Sequence, residues 1–182
     1  MRIFNIIFLA LILSSCTSMV NVDYDKNTNF TSLKTYRINT VPVRVSKDTR
    51  INSPFMQQRV ESEIKTALSV KGFENLKDKA ELEIKYYLDI KQEFETQDSS
   101  VSFGFGSFGR HSAVGLGFEA PIGEVSSIDN LVLTIDVLSA KNNKLIWRGS
   151  LAYNLYEGST PETYDKLVKE LVVEILKNFP PK

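Results

Sequence analysis

The sequence predicts an α+β domain: a mostly antiparallel sheet with two amphipathic helices packed on one face. Three observations lead there. Runs at residues 82–90, 131–137 and 145–153 alternate apolar with polar residues, the period of a half-buried strand. Two other stretches carry apolar residues at helical spacing, each opened by a hydroxyl residue followed by Pro. In sequence order the strands and helices leave both helices free to cover one face of a single sheet.

Taken in order, Val20, Val22 and Tyr24 alternate with Asn21, Asp23 and Asp25, a short strand, and residues 25–29 are polar turn chemistry. Residues 35–38 form a second strand, and residues 39–52 read as loop. Ser53-Pro54 starts a helix expected over residues 54–71. Met56, Val60, Ile64, Ala67 and Leu68 share one stripe of it, and Gly72 supplies a left-handed stop. Leu82, Ile84, Tyr86, Leu88 and Ile90 alternate with Glu81, Glu83, Lys85, Tyr87, Asp89 and Lys91, giving one buried and one wet strand face. Leu131, Leu133, Ile135 and Val137 mark the next strand, then Leu145, Trp147, Gly149, Leu151 and Tyr153. Thr160-Pro161-Glu162 opens a last helix, whose stripe runs from Tyr164 to Phe179 before Pro180-Pro181 stops it.

The parity of two strands fixes a register. Their apolar residues are all odd-numbered, and facing residues of an antiparallel pair share a face. A three-residue loop, Lys141-Asn142-Asn143, then pairs Val137 with Trp147, Ile135 with Gly149 and Leu133 with Leu151. It also places Asp136 opposite Arg148 on the other face, where a structural ion pair is expected, worth about 0.2–1 kcal/mol if exposed. Trp147 is expected beneath the helices, beside the gap left by Gly149.

Residues 3–13 are apolar except for Asn5 and follow Arg2. Eleven positions are too few for a bilayer core, which needs about 20 apolar residues, but suit a secretory signal. Leu13-Ser14-Ser15-Cys16 resembles a bacterial lipobox. That resemblance implies a signal peptide over residues 1–15, a diacylglyceryl group on the Cys16 thiol and a fatty acyl chain such as palmitate on its new amine. Residues 16–19 then form a short tether, and residues 20–182 a single domain. Thr17, standing where an Asp favours inner-membrane retention, points to the outer membrane, with the domain facing the periplasm. The membrane is thus the expected partner, through the lipid on Cys16.

Lys+Arg and Asp+Glu number 22 each, so the chain lacks the basic excess of a nucleic-acid-binding surface. One Cys and one His make neither an internal disulfide nor a Cys/His metal cage, and neither metal nor cofactor is expected.

Several motifs together resemble the DUF4136 family of bacterial lipoproteins: Asp23-Tyr24-Asp25, Phe30, Lys34-Thr35-Tyr36, Lys71-Gly72-Phe73, the run 131–136, the run 144–149 with Trp147-Arg148-Gly149, and Phe179-Pro180-Pro181. The resemblance covers nearly all of the chain after Cys16 and implies an anchored α+β domain. It implies no assigned activity and therefore carries over no catalytic residue.

Gly104-Phe105-Gly106-Ser107-Phe108-Gly109 matches the dinucleotide fingerprint, but no helix signal follows it to meet a pyrophosphate. Residues 101–124 hold six glycines and four phenylalanines, Phe103, Phe105, Phe108 and Phe118, with Arg110 and Glu119 among their few charges. They read as a hairpin at a sheet edge, with aromatics either folded onto the domain or offered to a partner or a membrane. His111 reads as a solvated loop residue without the oriented partner a general base needs. Asp23, Asp25, Asp89, Glu93 and Glu95 alternate onto solvent faces among Lys85 and Lys91, which suits a wet sheet face rather than a metal site. The expected function is a non-enzymatic envelope interaction or assembly module with an envelope protein as partner. The alternative is a binding domain for a lipid or other small apolar ligand between helices and sheet.

Overall fold

The computed structural model describes residues 20–39, 48–95, 126–155 and 158–181. Cys16, Phe103, Phe105, Phe108, Phe118 and His111 lie outside the described residues.

The strands are β1 (Asn21–Tyr24), β2 (Thr35–Ile38), β3 (Glu74–Asn75), β4 (Leu82–Glu95), β5 (Ser126–Ser139) and β6 (Leu145–Leu155). They form one sheet in the order β1-β6-β5-β4-β2-β3. β2 runs parallel to both β3 and β4, and the other pairings are antiparallel. Helix α1 (Pro54–Val70) starts on Ser53, whose side chain accepts the Met56 N–H, and Gly72 follows it with φ +80°. Helix α2 (Pro161–Lys177) starts on Thr160, whose hydroxyl accepts the Thr163 N–H. The α+β expectation therefore holds, with α1 ending one residue early.

Both helices lie on one face of the sheet. Val60, Ile64 and Leu68 of α1 and Val168, Leu171, Val172 and Ile175 of α2 are fully buried. Beneath them Ile84, Leu131, Leu133, Ile135, Val137 and Trp147 are equally buried, so the space between helices and sheet is filled with side chains.

The β5–β6 register is the one parity requires: Val137 faces Trp147, Ile135 faces Gly149, Leu133 faces Leu151 and Asp136 faces Arg148. The connection differs from the three-residue loop. Ser139 N–H donates to Lys144 O at 2.9 Å, leaving a four-residue turn over residues 140–143 with Asn143 at φ +56°. Leu138 faces Leu145 while Val137 faces Trp147, so Ile146 is an extra, bulged residue. The bulge adds the one residue that restores the parity. Its cost falls on Leu145, which is 40% exposed instead of buried, while Ile146 is buried at 4%. Tyr153, expected on the apolar face, is also 40% exposed. Ile51, inside the expected loop, is buried.

Candidate functional site

The face of the sheet away from the helices carries an organised row of charge. β1, β6, β5 and β4 set Asp23 against Arg148, Arg148 against Asp136 and Asp136 against Lys85, a row of alternating sign across four strands. Arg148 grips Asp136 with two bonds, Nε to Oδ1 at 2.6 Å and Nη2 to Oδ2 at 2.7 Å. The ion pair is there, on the expected face, with its acidic partner buried. The Asp136 side chain is 5% exposed and that of Arg148 50%, because neighbouring strands wall in the shorter residue. Asp136 is the first cause raising the pKa of Arg148.

The row continues onto β2. Glu83, expected on the wet face, is buried and receives Arg37 Nη2 at 2.6 Å, Asn39 Nδ2 at 3.0 Å and Lys85 Nζ at 3.2 Å. The Asn39 amide first, and then Arg37, hold its carboxyl down at about 2. A carboxylate so saturated stays ionised at neutral pH and ties β4 to β2 and to Asn39 beyond it. Two further carboxylates pin strand ends. Glu81 Oε2 accepts the backbone N–H groups of Lys34 and Thr35, at 2.8 and 3.1 Å, where β2 begins. Asp25 receives Lys144 Nζ at 2.6 Å, tying the end of β1 to the β5–β6 turn.

A second charged cluster joins the helix starts to the sheet. Arg50 bridges Asp48 and Asp129, each at 2.7 Å. Arg59 of α1 donates to Asp165 of α2 at 2.5 Å and lies 6.0 Å from the centre of the Tyr164 ring. Arg50, Arg59, Phe55, Pro161 and Tyr164 help line an open groove of about 470 Å³. Two other grooves lined by described residues, beside Phe55 and Glu63 and beside Gly72 and Phe73, also open outward.

The residues that carry the family resemblance have a different fate. Phe30, Phe73, Trp147 and Phe179 are all buried and meet in one cluster. Phe179 sits at its centre, with ring centroids 5.2 Å from Trp147, 5.4 Å from Phe73 and 6.0 Å from Phe30. Tyr24 of the Asp-Tyr-Asp motif touches Phe30 edge-on at 6.3 Å. The indole of Trp147 lies beneath the helices and beside Gly149, as parity requires. Its Nε1 has no hydrogen-bond partner among the described residues. Sequence reasoning missed this cluster, the burial of Glu83 and the Arg50 bridge, since each joins residues far apart in the chain.

The sequence matches the model of a domain of unknown function, DUF4136, over residues 20–181. A comparison with curated proteins found no match. Among solved structures, the chain is similar to a PDZ domain protein from Parabacteroides distasonis, with a TM-score of 0.56 and 12% identity. That likeness covers 90% of this chain and 35% of the other, so the chain spans about a third of that protein's length, and it shows a shared fold. A PelC dodecamer from Paraburkholderia phytofirmans gives a TM-score of 0.49 at 9% identity, over 87% of this chain and 96% of that one. Lipoprotein GNA1162 from Neisseria meningitidis gives 0.43 at 10% identity, over 79% and 99%.

Proposed function

The chain belongs to the DUF4136 family, and from that premise we propose that it is an outer-membrane lipoprotein, held by lipid on Cys16 with its domain facing the periplasm. The domain acts there as a non-enzymatic interaction or assembly module of the cell envelope. One observation carries this reading: Phe30, Phe73, Trp147 and Phe179 of the family pattern are packed into the core. What the pattern preserves is thus a scaffold, and contact with partners falls to the outer surface. The lipobox over residues 13–16 supports the anchor.

The test is crosslinking in intact envelopes, followed by purification of the lipidated protein and identification of what travels with it. A discrete envelope protein is expected, and Cys16→Ser is expected to lose lipid labelling, signal cleavage and that crosslink together. Retention of the Cys16→Ser protein in the outer membrane removes the anchor, and the absence of any crosslinked protein removes the module.

A further inference from the structure

The direction of β1 says which end of the domain meets the lipid. β1 is antiparallel to β6, with Asn21 opposite Ser150 and Tyr24 opposite Trp147. Followed backwards from Asn21, the chain heads toward the end of the sheet where β6 finishes at Leu155. Val20, the residue before Asn21, is packed against the core. β4 finishes and β5 begins at this same end, since Asp129 faces both Leu155 and Gln92. The bridge from Arg50 to Asp129 brings the start of α1 there, and Pro161 at the start of α2 shares a groove with Arg50.

Length sets the height. Four steps separate Cys16 from Val20, a reach of at most about 14 Å. From Ser150 to Leu155, β6 climbs roughly 17 Å. A fully extended tether therefore brings Cys16 only about level with the end of β6. The β4–β5 ladder runs three pairs further, to Glu95 and Ser126, or roughly 10 Å more. A lipid held at Cys16 cannot lift this end clear of the bilayer.

The surface chemistry agrees. Phe55, at the start of α1, is 71% exposed, and Tyr153 near the end of β6 is 40% exposed. Tyr settles at the level of lipid headgroups, and Phe is among the side chains that membrane-surface helices bury at the headgroup–acyl boundary. Toward the far end the exposed Val70 and Leu145 are aliphatic, and the aromatic there, Tyr24 at 37% exposed, has its ring edge-on against Phe30. Resting on the lipidation of Cys16 proposed for this protein, we infer that the end bearing both helix starts is a lipid-contacting surface, with Phe55 at headgroup depth. The four-residue turn at 140–143 points away from the membrane.

The experiment uses the full lipidated protein in vesicles of phosphatidylethanolamine and phosphatidylglycerol containing a headgroup-nitroxide lipid. Lipidation consumes the thiol of the single native Cys, so Phe55→Cys and Lys141→Cys each accept one bimane label at an exposed position. Several-fold stronger quenching at 55 than at 141 is expected. Equal quenching at both positions, or stronger quenching at 141, overturns the orientation while leaving the anchor standing. Flotation of the unlabelled protein with the vesicles reads the anchor separately. Failure to float, with no lipid on the purified N-terminus, removes the anchor and the orientation with it.

Discussion

Trp147 folds its indole across Gly149, two residues further along β6, and occupies the volume a side chain at 149 would need. A Cβ built on Gly149 collides with the indole ring and stands 2.7 Å from Ile175 Cγ2 of α2. Neither neighbour has room to retreat, since both are fully buried. Gly149→Ala is therefore expected to cost about 1–3 kcal/mol, the usual penalty of overpacking. Urea unfolding monitored by the single Trp checks it, and an unchanged midpoint contradicts the packing described.

The Asp136–Arg148 pair, with one partner buried, is expected to matter more than a surface ion pair. Arg148→Ala leaves the Asp136 carboxylate walled in without its two strong donors, at an expected cost of about 1–3 kcal/mol. In a double-mutant cycle, Asp136→Ala with Arg148→Ala should lose less than the sum of the two single changes. Strict additivity would show the pair to be uncoupled.

Glu83 predicts an acid limb in the stability curve. Its folded pKa, about 2, lies below the ordinary 4.5, so the stabilisation is complete above about pH 4.5 and disappears as pH falls toward 2. Allowing for solvent screening, the loss is on the order of 1–2 kcal/mol. Denaturant midpoints between pH 5 and 2 should fall less steeply for Glu83→Gln than for the parent. Parallel curves would remove Glu83 as their source.

Deletion of residues 101–120 is expected to leave the domain folded. The buried side chains of both helices and of β4, β5 and β6 form a core of their own outside that stretch. Ten residues remain to join Glu95 to Ser126, ample for two antiparallel strand ends. The melting temperature should move by no more than ~2–4 °C, which is ~1 kcal/mol in a domain of this size, while envelope crosslinks weaken. A collapse of the transition would place Phe103, Phe105, Phe108 and Phe118 in the core.

Much of the fold was legible in the residues because it is written in local periods. Alternation located β4, β5 and β6, and the Ser53-Pro54 and Thr160-Pro161 pairs located both helix starts. Parity gave the β5–β6 register and the Asp136–Arg148 pair. It could not give the turn, because a four-residue turn with one bulged residue has the same parity as a three-residue loop. The parallel seat of β2 between β3 and β4 was hidden for another reason. Four residues carry too little periodicity to choose a neighbour, and the crossing through α1 makes that choice. The burial of Glu83 depends on Arg37 and Asn39, more than forty positions away, and no window along the chain brings them together.

β1 also has a mechanical meaning. Its four residues pair with β6 from Asn21 to Tyr24, and Asp25 N–H extends the ladder to Ile146 O at 2.9 Å. Hydrogen bonds in an antiparallel ladder stand perpendicular to the strands. A tug on the chain before Asn21 runs along β1 and loads those bonds side by side, in shear, so they must yield together rather than unzip singly. The Asp25–Lys144 pair and the Tyr24–Phe30 contact lie at the far end of the same strand and resist its sliding out. A strand of four residues thereby becomes the fastening between the domain and whatever pulls on its N-terminus.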